Sequence, residues 1–264
     1  MRPLSIAMAL AALTSSPVAA AQDRIGRIYS YIRSDRDGAE AEVVRVFRRD
    51  PTHIEVSKMR GRCNNAAYVT ATLDIEAGHA TRLGGGRLRP DAGREEFAVM
   101  TYDADTRRLA ARIETPGGPI ESGVAVLDTP WHLYDFDLAS LTIAAQHRPD
   151  RRADWSFGMV LVWPDDAPNF FRYLGRADLR FIREEEHEGR RALRFEAGGP
   201  AFAGRGGPIW FDAADGHIIE ASWGIPNHSE HQDFRLRLTG VSDGGAEEWR
   251  RLLSAHYENC PPAR

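Results

Sequence analysis

The chain has 264 residues, 42% of them hydrophobic, and a formal charge of −4. That apolar share is enough for a full core. The mild negative balance excludes the basic stripe of a nucleic-acid binder and the polybasic patch of a protein held on anionic lipid. Lys58 is the only lysine, and the other 33 basic residues are dispersed arginines, which reads as compositional bias.

Taken in chain order, Arg2, the apolar run Ile6 to Leu13 and the small residues Val18-Ala19-Ala20-Ala21 predict a secretory signal peptide over residues 1–21. Its removal leaves a single β-rich domain over residues 22–264, periplasmic or secreted. No apolar stretch of about 18 residues follows, so no transmembrane segment is expected. Alternating apolar residues then predict strands at Ile28 to Ile32, Glu42 to Arg48, Ile54 to Met59 and Ala66 to Leu73. Gly84-Gly85-Gly86 reads as a loop. Further strands are predicted at Phe97 to Tyr102, Leu109 to Ile113 and Val124 to Leu127.

The middle of the chain changes period. Asp135 or Asp137 is placed to cap a helix over about 138–147, with Leu138, Leu141, Ala144 and Ala145 on one side. Trp155, Phe157, Met159, Leu161 and Trp163 then occupy every second position of a strong strand. Glu188-Gly189 and Asp215-Gly216 mark hairpin turns. Phe234, Leu236 and Leu238 alternate with polar residues. Trp249, Leu252, Leu253 and His256 predict an amphipathic C-terminal helix over about 246–257. The pattern is mainly β: a large antiparallel curved sheet or half-barrel with a mid-chain and a C-terminal helix. Cys63 and Cys260, an even count in an exported chain, point to a disulfide closing a loop of nearly 200 residues.

Two short stretches concentrate chemistry. Asn227 to Asp233 contains His228, Glu230, His231 and Asp233, residue types that ligate zinc if the stretch is a loop. As plain composition it is a polar connection between strands. Trp131 to Asp137 sets aromatic residues beside His132 and two carboxylates, either a ligand mouth or the start of the mid-chain helix. No nucleophile elbow, Cys-x-x-Cys, phosphate loop or dinucleotide fingerprint occurs, and no cofactor is implied.

The order of parts, from signal peptide through strands, helix and strands to a terminal helix, resembles the half-barrel lipoprotein carriers of the bacterial periplasm, the LolA/LolB type. The likeness is one of architecture and brings no motif. It implies a lipid-like apolar ligand in a concave sheet, for which Trp131, Tyr134, Trp155, Phe157, Met159, Leu161 and Trp163 are the expected lining. The alternatives are a metal-dependent periplasmic hydrolase using His228, His231 and Glu230 or Asp233, and an envelope assembly module acting through protein contacts.

Overall fold

The computed structural model describes residues 24–163 and 170–261, so the signal peptide read at residues 1–21 lies outside the described residues. The chain begins with an antiparallel meander: β1 (Ile28–Ser34), β2 (Glu42–Arg48), β3 (His53–Met59), β4 (Ala67–Asp74), β5 (His79–Leu88), β6 (Arg94–Asp103), β7 (Arg108–Ile113) and β8 (Ile120–Ala125). It then crosses to β9 (Trp131–Leu133), a 3-10 turn (Tyr134–Phe136) and α1 (Ala139–His147). A second meander runs through β10 (Trp155–Val162), β11 (Phe171–His187), β12 (Arg190–Gly198), β13 (Gly207–Asp212), β14 (Ile218–Trp223) and β15 (Phe234–Ser242). β15 pairs with β1, joining both meanders into one 15-stranded sheet. β9 runs parallel to β10, so the sheet is mixed. α2 (Gly245–Ser254) follows.

Connectivity makes this sheet curl. β8 and β9 are its two edges, yet only residues 126–130 join them. At about 3.3–3.6 Å per residue that link spans roughly 20 Å, far less than the width of 15 flat strands. The link lies against the far edge: a Cβ on Gly158 of β10 would come within 2.3 Å of the Asp128 carbonyl oxygen, and Tyr173 of β11 hydrogen-bonds the Asp128 carboxylate. The edges approach without pairing, and the sheet stays open.

α1 fills the resulting shell. Seven of its nine residues are buried, including Leu141 and Ile143, and they cover all sides of the helix. A nine-residue helix has little stability alone, so the surrounding sheet holds it. The interior cavities that α1 lines measure about 10 Å³ each, room for about one water molecule. A second, smaller core lies outside the shell. There Trp249 of α2 stacks on Phe47 at 5.3 Å and donates to Glu55 at 2.6 Å. The Cys63–Cys260 disulfide ties the tail beyond α2 to the turn after β3.

The helices are where the periodicity places them, within a few residues. Other expectations need correction. Gly84-Gly85-Gly86 is inside β5, not a loop, with a register shift at Gly85/Gly86. A Cβ on Gly84 would meet the Glu96 carboxylate at 2.2 Å, and one on Gly86 the Glu95 carbonyl at 2.6 Å; the glycines admit close-packed neighbours. The strand predicted at Val124 to Leu127 ends at Ala125, and Leu127 is 67% exposed in the crossing. Neither Asp135 nor Asp137 caps α1. Its N-cap is Leu138, with no side-chain cap, because the Asp137 carboxylate is taken by cations from the sheet.

Candidate functional site: a charged mouth at one end of the shell

Strand alternation builds the site. Every second side chain on a strand faces the same way. The inward positions read Tyr29, Tyr31, Arg33 along β1, then Val46, Val44, Glu42 along β2, and Ile54, Val56, Lys58 along β3. In each strand two core residues are followed by a charge. Arg33 pairs across the ladder with Glu42, and Val44 with Lys58, so the three charges share one rim.

The turn into α1 and the segment between β14 and β15 complete the rim. Lys58 Nζ sits 2.6 Å from Asp137 Oδ2 and donates to the backbone carbonyl of Asp135. Arg33 Nη1 is 3.5 Å from Glu42 Oε1, and its Nε is 3.8 Å from Asp137 Oδ1. Asn227 Nδ2 donates to Asp137 Oδ1 at 3.0 Å, and its Oδ1 accepts from Arg33. Arg33 and Asp137 are fully buried, whereas Glu42 and His228 are only half-buried and form the solvent side. The two buried cations, Arg33 and Lys58, thus balance two carboxylates, Glu42 and Asp137, and the more exposed Arg60 lies 3.9 Å from Glu42 on the outer side. Breaking such a buried set costs far more than its net contribution to stability.

Protonation follows from burial and charge. Burial works to raise the Asp137 carboxyl, but Lys58 and Arg33 outweigh it and hold it below its ordinary range. Burial works to lower the Lys58 ammonium, but Asp137 and Glu42 outweigh it and keep the proton on. Burial, helped by the Asp137 charge, raises the Glu42 carboxyl. Asp135, buried beside Lys58, is pushed up to about 6 by burial. His228 is lowered to about 3, by burial first and then by Lys58. Its imidazole is neutral, and its buried Nε2 has no hydrogen-bond partner among the described residues. The backbone is strained here too. Asp137 and Leu138 take consecutive left-handed conformations, φ 47° and 60°, which non-glycine residues adopt only when their surroundings enforce it.

The predicted metal ligands separate. His231 donates from Nδ1 to Asp35 at 2.9 Å and accepts at Nε2 from Arg33 and Arg60, which occupies both nitrogens. Glu230 pairs with Arg60 at 2.8 Å, and Asp233 accepts the Arg36 backbone N–H at 2.7 Å. His228 instead joins Glu42 and Asp137, whose ligand atoms all lie within 4.8 Å of one another, close enough to hold a cation. The aromatic set stays together in the main core. Trp131, Tyr134, Phe157, Met159 and Leu161 are buried, and Trp155 and Trp163 pack partly buried against them. Trp155 also borders a cavity of about 10 Å³ beside the end of α1.

Two other polar features border the mouth or mirror it. Asp35 also lines an open groove of about 590 Å³ on the outer face of the sheet, with Trp210, Glu220 and Arg235. At the other end of α1, Asp215 accepts from Arg24, Arg27, Tyr29, His217 and Gln146. Set against known proteins, the sequence matches no family model and no curated protein.

Sequence reasoning missed Arg33, Glu42 and Lys58, and gave Asp137 a capping role. The signal was present: three apolar alternations each carry a charge at one terminus of the inward side, the last position in β1 and β3 and the first in β2, and one of those charges is the chain's only lysine.

Proposed function

We propose that the protein is an exported binding protein for a divalent cation, held at the mouth of the shell by Glu42, Asp137 and His228. The carrying observation is the convergence of two carboxylates and one imidazole within 4.8 Å. All three come from separate parts of the chain, and the buried Nε2 of His228 has no hydrogen-bond partner among the described residues. Three protein ligands at a rim leave positions for water, the pattern of metal centres that activate it, so metal-dependent hydrolysis is the activity this reading implies. The test is titration calorimetry of Mn²⁺, Zn²⁺ and Ca²⁺ into the protein, with elemental analysis of material purified without chelator. Stoichiometric binding that Glu42→Gln and His228→Ala abolish supports the reading. A metal-free protein that gives no binding heat and no change in stability with any of the three ions refutes it.

A second reading keeps the lipid-like ligand, with α1 leaving the shell to admit it. What favours it is that α1 is buried on every side, is not part of the sheet, and is reached through two strained residues. An acyl chain contributes about 0.8 kcal/mol per buried CH₂, so roughly 14 methylenes offset the loss of several buried aliphatic side chains. Lipid co-purification and displacement of a fluorescent fatty acid support it; protein that carries nothing and shifts no probe refutes it.

A further inference from the structure

Lys58 is the one lysine in this chain, and it stands at the centre of the mouth. Arginine holds carboxylates with a rigid two-pronged fork, whereas lysine ends in a compact charge on a flexible stem. The ammonium occupies a place suited to a metal ion. It lies 2.6 Å from Asp137 Oδ2 and against the Asp135 carbonyl oxygen, and oxygen ligands surround Ca²⁺ at about 2.3–2.6 Å. Glu42 and His228 complete the surroundings from the solvent side.

Charge decides what a second cation does there. With Lys58 in place, Arg33 and Lys58 already cancel Glu42 and Asp137. A divalent ion added to that set leaves two uncompensated positive charges in a largely buried site, which is strongly unfavourable. With the ammonium withdrawn, the same ion meets two carboxylates, a carbonyl oxygen and an imidazole, opposed by Arg33 and, at the solvent side of Glu42, by Arg60. We infer that Lys58 is a displaceable counter-cation: a divalent ion takes its place between Asp137, the Asp135 carbonyl, Glu42 and His228, and Lys58 thereby sets the affinity of the site. The inference rests on the cation-binding reading above and names what regulates that site. Because Asp135 and Asp137 lead directly into α1, the exchange also replaces the contact that fixes the start of the helix.

The experiment is calorimetric titration of Mn²⁺, Zn²⁺ and Ca²⁺ into the full chain as wild type, Lys58→Met, Lys58→Gln and Lys58→Arg, each first checked for native circular dichroism. Removing the competing ammonium charge should tighten binding in Lys58→Met and Lys58→Gln by on the order of 100-fold. Lys58→Arg should weaken it, since the fork grips Asp137. Adding Glu42→Gln to Lys58→Gln should reverse the gain. Wild-type binding that neither neutral variant tightens overturns the role of Lys58 and leaves the cation site standing. Absence of binding in wild type and in both neutral variants overturns both. The two neutral side chains differ in polarity, so one retains a folded mouth if the other does not.

Discussion

Asp137→Asn is the sharpest probe of the mouth. Asparagine keeps the size of the side chain, tolerates the left-handed backbone at φ 47°, and can still bond Asn227, so the variant removes charge and little else. It leaves Lys58, 9% exposed, and Arg33, fully buried, without the carboxylate they share. Stranding buried charge in this way costs about 3–5 kcal/mol, roughly a fifth or more of the stability of a typical domain. For a chain of this size that is a fall in Tm of roughly 6–20 °C. Adding Lys58→Met removes the stranded ammonium, so the double variant should be more stable than the sum of the two single changes allows, by about 2–3 kcal/mol. Urea unfolding followed by tryptophan fluorescence, with the disulfide intact, measures all four corners of the cycle. A single-variant cost below about 1 kcal/mol, the size of a surface pair, refutes the buried-network reasoning. So does strict additivity.

Stability should rise with pH between about 4 and 6. His132 and His228 are both lowered to about 3, chiefly by burial, so the unfolded chain binds more protons than the folded one, and their contribution is lost as pH falls below 6.5. Asp135, raised to about 6 by burial, works the other way, losing stability as pH rises from about 4 to 6. His147, lowered to about 4, and His79 and His231, lowered as well, work with these two histidines, while Glu42, raised by burial, works with Asp135, so the net slope is upward and Asp135→Asn should steepen it; urea titrations at several pH values check both, and a flat profile counters the assignment. Replacing Cys63 and Cys260 by serine should cost about 2–4 kcal/mol, because the bridge spans 197 residues, and equal urea midpoints with and without it would contradict this. Leu141→Ala, inside α1 and 0% exposed, should cost about 2–5 kcal/mol, since the lost side chain leaves a cavity that the surrounding sheet fills only in part; a loss under 1 kcal/mol would mean that α1 is not held as described.

Much of the fold was legible because strand and helix periods are local. Glu42–Arg48 begins and ends where the sequence pattern places it, and the turn at Glu188-Gly189 falls where the dipeptide places it. Misreadings occurred where a distant neighbour overrode the local rule. Three consecutive glycines signal a loop in isolation, but in β5 they make room for Glu95 and Glu96 of the next strand. Two aspartates ahead of a helix signal caps, but Asp137 is drawn away by Lys58, which is 79 residues earlier in the chain. The His228 and His231 pair looked like a unit because the two are close in sequence. Arg33 and Arg60 claim His231, and only His228 faces the carboxylates.

The sequence by itself determined the β-rich character, the two helices, the hairpin turns and the cysteines available to pair, since each depends on residue type and short spacing. Tertiary structure alone decided that the two sheet edges curl together, that α1 fills the space they enclose, and which charges meet at its start. The reason is physical: alternation says which side of a strand a residue faces, but not which other strand it faces. Coulomb energy and desolvation depend on that second distance, and Arg33, Glu42, Lys58 and Asp137 acquire their shared role only when the chain has closed around them.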